Sequence, residues 1–542
     1  MVGVSRGLLL NGLIVALAAL GMVCVGISGG VGAAEMHPEP GVVYRLAGDM
    51  AADTFGTDIE PLDDLDGDGA PEFAVGAGEV SRDGTDGGYV RIFSGRDGAV
   101  IHTLEGWISE QGFGEKLTSM RDVNGDGKRE LVVVHGEGTS IYDPKTAEEL
   151  YRIDVGPYPE FAGASDAGDL DGDGRGDLFL GNSSFSSLGL PLALDGRVWA
   201  YSVARDEVLW SRLGEFHRTL GRRLHTIGDS TGDGVPELLA HENVQSVYSQ
   251  VAVLDGSSGE TIGTVSEPRL DAFTRVISVL GDLNDDGVCE FAISGQHLQD
   301  SLKEGVGIVL IYDGRTFELF RRHEGVDGRL FGFAGDLLGS SIGNAGDMDG
   351  DGVSDYLLAD QRRAGGLLFA NIYLLGKIYL RSGRTGRPLA TYMGRKGTNF
   401  FLTGALSALG DVDGDGGPEF LLGSPRNGFA DVDRLFTHGE VRVLTFDSSW
   451  PSFIRGDANG DGKVDLTDAF HIALFLLSGD SAGCVRALDV NATGQVALAD
   501  ALLLLRHIFL GDVAPAAPFP QCSRLGGFLE DELPCEQSLC TP

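Results

Sequence analysis

Seven short apolar runs recur along the chain, each directly behind an acidic stretch: FAVGA, LVVVH, LFLGN, LLAHE, FAISG, YLLAD and FLLGS. Runs this short, bounded by glycine, predict strands rather than helices. A segment alternating in period two follows, as in Tyr89-Val90-Arg91-Ile92-Phe93, Val198-Trp199-Ala200-Tyr201 and Ile378-Tyr379-Leu380. It ends in a hairpin signal such as SGRDG (94–98), DGSSG (255–259) or SGRTG (382–386). Another strand pattern comes next, for example VIHTLEG (100–106) or ELFRRHEG (318–325). Ahead of each acidic stretch lies a segment opened by Phe-Gly or a relative, as in Phe55-Gly56, Phe113-Gly114 and Leu220-Gly221. Four antiparallel strands per unit, repeated at intervals from the high forties to the mid sixties, predict an all-β fold, a seven-bladed β-propeller.

The ends of the array predict how the ring closes. The seventh unit runs through Val441-Arg442-Val443-Leu444 and lacks a fourth strand before the chain changes character at Ser448. Residues 42 to 48 (VVYRLAG) match the missing pattern, so they are expected to form the outer strand of blade seven. Such a velcro closure leaves no open gap in the ring.

The acidic stretches are nine-residue loops with a fixed pattern of oxygen donors. Positions 1, 3, 5 and 9 are Asp64, Asp66, Asp68 and Glu72 in the first loop and Asp122, Asn124, Asp126 and Glu130 in the second. They are Asp169, Asp171, Asp173 and Asp177 in the third and Asp229, Thr231, Asp233 and Glu237 in the fourth. The fifth has Asp282, Asn284, Asp286 and Glu290, and the sixth Asp347, Asp349, Asp351 and Asp355. The seventh has Asp411, Asp413, Asp415 and Glu419. With a carbonyl from position 7, this is the ligand alternation of an EF-hand loop, shortened so that the last carboxylate arrives early. Position 6 is always glycine (Gly69, Gly127, Gly174, Gly234, Gly287, Gly352, Gly416), which suits a left-handed backbone that folds the oxygens inward. Hard oxygens favour calcium over thiophilic metals. The bland alternative is a set of Asx-rich turns without an ion, and Thr231 makes loop four the weakest.

These loops with their flanks resemble the FG-GAP (integrin alpha-type) β-propeller family and the related VCBS repeats, over residues 42 to about 446. The resemblance implies that the calcium loops join the first two strands of each blade, on the face opposite the usual ligand surface. The Phe-Gly pairs are degraded in blades four to seven.

The net charge of −39 argues against nucleic acid or an anionic membrane surface as partner. Seven divalent ions would offset roughly a third of it, so much of the acidity reads as ligand chemistry. At the N-terminal end, Arg6, the apolar stretch Leu8 to Ile27 and Gly32-Ala33-Ala34 predict a signal peptide over 1–34. An uncleaved anchor is the alternative; no later segment is long and apolar enough to span a bilayer. The protein is expected to be secreted or displayed at the cell surface. Cys484, Cys522, Cys535 and Cys540 crowd the C-terminal end, which predicts two disulfides with three pairings open, or, less in keeping with the spacing, a zinc site.

The propeller is expected over 35–450, and a second module over 451–542. From Arg455 the chain reads GDANGDGKVDLTDAFHIALFLLSG and later LDVNATGQVALADALLLLRHIFLG. Asp457, Asn459, Asp461, the Lys463 carbonyl, Asp465 and Asp468 occupy the ligand positions of a 12-residue EF-like loop ahead of an amphipathic helix. In the second copy Asp489, Asn491, the Gln495 carbonyl and Asp500 remain, while Thr493 and Ala497 replace acids. This small α-helical pair resembles a type I dockerin over residues 455 to 512. The resemblance implies a cohesin-like partner contacted through Leu466-Thr467 and Leu498-Ala499, with a folded cap as the alternative.

Arg455-Gly456-Asp457 spells an adhesion tripeptide, but Asp457 is needed as a ligand; Gly339-Ser340-Ser341-Ile342-Gly343 matches a nucleophile elbow without its strand-turn-helix context. His217, His225 and His241 show no metal spacing, and no convincing catalytic constellation emerges. The expected function is an exported calcium-binding module for adhesion to, or recognition of, an extracellular protein or glycan. The alternative is a polysaccharide-acting enzyme, a lyase or glycoside hydrolase on the propeller scaffold. Recognition is expected on loops 181–195, 359–375 and 424–438, with Phe185, Arg362, Arg363, Phe369, Arg426, Phe429, Arg434 and Phe436 as anchors.

Overall fold

Every apolar run is the second strand of a four-stranded antiparallel blade: Phe73–Ala77, Glu130–His135, Asp177–Asn182, Leu238–Val244, Glu290–His297, Asp355–Arg362 and Glu419–Ser424. The computed structural model describes residues 42–49, 54–78, 87–107, 112–154, 163–183, 195–215, 218–244, 248–267, 270–271, 273–297, 306–325, 336–362, 377–393, 405–414, 417–425, 439–445, 452–478, 482, 484–491, 496–511, 515, 519, 522–527, 535 and 539–540. Two compact units emerge, Gly41–Ser448 and a second containing Ser449–Pro542. The expected signal peptide lies outside the described residues.

The seven first strands touch one another in chain order, and the last touches the first, so they line the centre of a closed ring. Val42–Ala47 pairs antiparallel with Glu440–Leu444 as the outer strand of blade seven. Tyr44 adds a clamp from that strand to blade one, its hydroxyl donating to the Gly95 carbonyl at 2.6 Å. The apolar core lies in the seams between blades. Phe55, Phe73 and Phe93 of blade one pack with Leu421, Val441 and Val443 of blade seven, and Leu239 and Val251 of blade four with Phe273, Ile277 and Ile293 of blade five.

Glycines set how closely blades approach. Gly56 and Gly114, just ahead of a first strand, and Gly221 and Gly339, within one, have φ of +85°, +86°, +93° and +83°. Three of them face a glycine in the second strand of the preceding blade. A Cβ on Gly76 would lie 1.9 Å from the Gly114 carbonyl oxygen, one on Gly181 2.2 Å from that of Gly221, and one on Gly423 2.3 Å from that of Gly56. Gly339 is thus a seam glycine of blade six and no part of a nucleophile elbow; it sits in the first strand, Asp336–Gly346.

In blade five the same place is taken by Thr274, buried and at φ +72°, a conformation disfavoured for a β-branched residue. Thr274→Gly is expected to raise unfolding free energy by about 1 kcal/mol, the left-handed penalty less the lost side-chain contacts. Urea denaturation in calcium checks it; a destabilised variant would mean that the threonine's contacts outweigh its backbone strain.

The second unit contains helices Leu466–Ser478, Val485–Leu488 and Leu498–Leu510. The last ends at Gly511 in left-handed conformation (φ +66°), its N–H donating to the His507 carbonyl at 3.0 Å. Disulfides join Cys484 to Cys535 and Cys522 to Cys540, choosing one of the three pairings. Cys289, in the fifth acidic loop, is a free thiol whose pKa burial pushes up.

Candidate metal centres and the channel wall

Each acidic loop joins the first and second strands of its blade, so all seven lie at one end of the ring. Loop one shows how the chain fixes its oxygens. Asp64 accepts the amides of Gly67 at 2.6 Å and Gly69 at 3.0 Å, Asp66 that of Asp68 at 3.0 Å, and Asp68 that of Ala70 at 2.8 Å. Glu72 accepts the Leu65 amide, and its other oxygen, Oε1, is buried without a hydrogen-bond partner. Position 6 is left-handed in all six loops where it is described, Gly416 and Asp415 lying outside the described residues. Position 4 is left-handed as well, a requirement the sequence reading missed: glycine in six loops and Asp285, at φ +62°, in the fifth.

Carboxylate oxygens converge within 4.8 Å of one another in Asp64/Asp66/Glu72, Asp122/Asp126/Glu130, Asp169/Asp171/Asp177, Asp286/Glu290/Asp313 and Asp347/Asp349/Asp351. Such all-oxygen clusters can coordinate a hard divalent cation, and the orphaned Glu72 oxygen fits one. The position-9 carboxylates are buried in every loop. Burial first, and the like charges of the loop second, push Glu130, Glu290 and Asp355 up to about 7 and Asp177 to about 6. Asn124, Asp173 and Asn284 order their loops by accepting the amides of Asp126, Arg175 and Asp286 at 2.9 Å each.

Loop four differs as Thr231 predicts. Its hydroxyl turns to Asp229 at 3.5 Å, and Glu237 accepts the amides of both Ser230 and Thr231, so its oxygens already have partners within the loop. Asp233 accepts Val235 N at 2.9 Å. In loop seven, Asp411 accepts Gly414 N at 2.7 Å and Glu419 accepts Val412 N at 2.9 Å, with Asp413 exposed.

The hairpins between third and fourth strands come to the same end of the ring and supply groups that the sequence reading treated only as turns. Arg96 pairs with Asp68 at 2.9 Å, Arg205 with Asp171 at 3.2 Å, Arg315 with Asp286 at 3.6 Å and Arg384 with Asp351 at 3.2 Å. Asp313, at the start of the fifth hairpin, joins the cluster of loop five. The signal was present in the repeated Gly-Arg of SGRDG, DGRTF and SGRTG.

In the C-terminal unit, Asp457 accepts the amides of Asp461 at 3.1 Å and Gly462 at 2.9 Å, Asn459 that of Asp461 at 2.9 Å, and Asp461 that of Lys463 at 2.9 Å. Asp468 accepts Asn459 N at 3.1 Å and Asp465 N at 2.8 Å, which closes the loop, while Asp465 is turned to Thr467. Burial raises the pKa of Asp457 and Asp468. In the second copy Asp500 closes the loop alike, and Asn491 Oδ1 is buried without a partner. Thr493 and Gln495 lie outside the described residues. Arg455 and Asp457 are both fully buried, with Arg455 donating to the carbonyls of Arg486 and Asp489, so the adhesion tripeptide is not displayed.

The expected recognition loops fall largely outside the described residues. These include Phe185, Arg363, Phe369, Arg426, Phe429, Arg434, Phe436 and the side chain of Arg362; His217 is also outside. In the channel wall, carboxylates tie blades together. Asp58 accepts Leu117 N at 3.0 Å and pairs with Lys116 at 3.5 Å, while Glu60 accepts the amide and hydroxyl of Ser119 at 2.9 and 2.7 Å. Burial raises Glu60 to about 7 and lowers His225 to about 4. Among the described residues no helix is long and apolar enough to cross a membrane, which says nothing of strand-built barrels.

No curated protein matches the chain. A crystal structure of BBS1N in complex with ARL6DN, soaked with lead, is similar at a TM-score of 0.45 and 9% identity, over 75% of this chain and 97% of that one. Residues 122–180, blade two and the start of blade three, match the FG-GAP-like repeat, and residues 455–509 match the dockerin type I domain. The chain therefore carries an FG-GAP-like repeat within a seven-bladed propeller and, at its C-terminal end, a dockerin-type domain.

Proposed function

We propose that this is an exported, calcium-stabilised propeller that recognises an extracellular protein or glycan, and that its C-terminal domain docks onto a cohesin-type protein. The dockerin-type domain carries the reading, since such a domain implies a protein partner. Two disulfides in the same unit agree with an oxidising compartment and a leader over 1–34. Calcium is the ion favoured by clusters of ordered carboxylate oxygens, since magnesium gives up its waters reluctantly. Asp58 and Glu60 of the channel wall are engaged in interblade bonds, which gives these two carboxylates a structural role.

The helix Leu466–Ser478 presents Phe470, Leu474 and Leu477 to solvent, 49%, 56% and 60% exposed, spaced as one helical stripe. Thr467, by contrast, is tied to Asp465 and Asn459. We infer that docking uses this apolar stripe. Full-length protein is expected to bind a member of a cohesin panel in calcium, and Phe470→Arg to weaken that binding about a hundredfold, as loss of a central apolar anchor does. Calcium-stabilised protein that binds no cohesin-type domain would remove the docking half of the proposal.

A further inference from the structure

Four of the acidic loops are gripped by an arginine of their own 3–4 hairpin, each time through the same two atoms. Arg96 donates through Nε to Asp68 Oδ2 at 2.9 Å and through a terminal nitrogen to the Asp68 main-chain carbonyl. Arg384 does the same to Asp351 at 3.2 and 3.3 Å. Arg315 reaches the Asp286 carbonyl at 2.9 Å with its Nε 3.6 Å from Oδ2, and Arg205 grips Asp171 at 3.2 and 3.4 Å. A fork on the side chain and main chain of one residue fixes both its rotamer and its backbone, which a point charge does not.

The hairpin backbone explains the reach. In blades one, five and six a glycine precedes the arginine and lets the hairpin lie on position 8 of its loop. A Cβ on Gly95 would lie 1.9 Å from the Pro71 carbonyl oxygen, one on Gly314 2.1 Å from that of Cys289, and one on Gly383 1.8 Å from that of Ser354. The arginine then meets position 5 of the loop. In blade three the glycine is replaced by Ala204, and Arg205 takes position 3 instead. Blade four keeps the close approach, a Cβ on Gly256 lying 2.1 Å from the Pro236 carbonyl oxygen, but Ser257 stands where the arginine would be. Blade two has Pro144-Lys145 there, and blade seven has no such hairpin, because its outer strand comes from the other end of the chain.

The gripped residue keeps its other oxygen for the loop. Oδ1 of Asp68, Asp286 and Asp351 accepts the amide two residues on, at 2.8, 2.9 and 2.9 Å. Both oxygens are thus oriented by the protein itself. Loop two repeats the internal amide bonds of loop one, at Gly125, Asp126, Gly127 and Lys128, so those bonds do not distinguish the two loops.

We propose that Arg96, Arg205, Arg315 and Arg384 are positioning residues for the cation loops. They latch loops one, three, five and six in ligand-ready shape, while loops two, four and seven take theirs from the ion. A carboxylate fixed beforehand leaves less chain to order when the ion enters. Arg384 also reaches Asp285 of loop five at 3.3 Å, so its fork ties two neighbouring loops together. The latch rests on the calcium half of the proposed function, yet it is measured in chelator, where no ion contributes.

The test is hydrogen exchange, resolved by peptide mass spectrometry, on the full-length protein at pH 6 in chelator and in calcium. In chelator, the amides of loops one, three, five and six are expected to exchange about fivefold more slowly than those of loops two and four, the upper range for an exposed ion pair. Arg96→Gln should remove that protection from loop one alone. Arg96→Lys should remove it too, because lysine keeps the charge and loses the fork. Ser257→Arg should install protection in loop four, where the hairpin already sits in place. In calcium the parent and all three variants should converge. If the chelated ring unfolds, the calcium concentration that half-protects loop one carries the test, and Arg96→Gln should raise it about fivefold. Equal exchange in the two kinds of loop overturns the latch, as does an Arg96→Lys protein that behaves as its parent or a loop four unmoved by Ser257→Arg. Failure of the ion reading looks different: calcium then slows exchange in no loop, and the latch loses its purpose with it.

Discussion

Removing divalent cations is expected to lower the melting temperature of the propeller steeply, and to do so more at pH 8 than at pH 5.5. Clusters of ordered carboxylates within 4.8 Å are held in a loop geometry that brings like charges together. At calcium a hundredfold above Kd, each site that binds only the folded protein adds about 2.7 kcal/mol, so several sites together rival the whole stability of a typical domain. The pH dependence follows from the buried position-9 groups. In the ion-free ring Glu130, Glu290 and Asp355 have pKa values raised to about 7, above those of the unfolded chain. Their contribution is therefore fully present below the unfolded carboxyl pKa of about 4.3 and is lost as pH rises through about 7. Calcium binds the deprotonated form, so the loaded protein runs the other way and gains stability as pH rises through the same window. Thermal melts in millimolar calcium and in chelator, from pH 5 to 8, should give curves that diverge with rising pH. Equal melting temperatures throughout would refute the ion sites.

Much of this was legible in the sequence because the repeat states its chemistry in contiguous residues. The period-two runs and the nine-residue loops fix strand order within a blade, and the unmatched VVYRLAG near the N-terminal end identified the closing strand that pairs with Glu440–Leu444. What escaped depends on contacts between segments far apart in the chain. Arg96 meets Asp68, 28 residues away, only because the 3–4 hairpin folds to the end of the sheet where the 1–2 loop lies. Asp313 enters the fifth cluster by the same route. The register break between Leu220 and Leu224 in the first strand of blade four is invisible to periodicity, since it leaves the apolar pattern intact. The Phe-Gly pairs are degraded in blades four to seven, but the backbone requires only a left-handed residue at that place, met by Gly221, Thr274 and Gly339 in blades four to six.

That requirement yields the largest single-residue effect expected in the propeller. Gly76→Ala places a methyl carbon 1.9 Å from the Gly114 carbonyl oxygen, and Gly114→Ala places one 2.5 Å from that of Tyr89. Both clashes are with backbone in the adjoining blade, so no rotamer change relieves them and the blades must part. Because the ring is closed, opening one seam strains the others. Each variant is expected to cost about 3 kcal/mol or more in calcium, at the upper end of single substitutions. The two differ in a way that separates the causes. Gly114 also has φ +86°, which alone costs an alanine about 1–2 kcal/mol, whereas Gly76 carries no left-handed strain and reports the steric term alone. Gly228, at φ +95° with nothing within 4 Å of its would-be Cβ, reports the backbone term alone. Urea denaturation of the three alanine variants should therefore rank Gly228→Ala mildest, with Gly76→Ala clearly worse. A Gly76→Ala protein as stable as its parent would mean that the seams yield, and that the close glycine contact does not set the blade spacing.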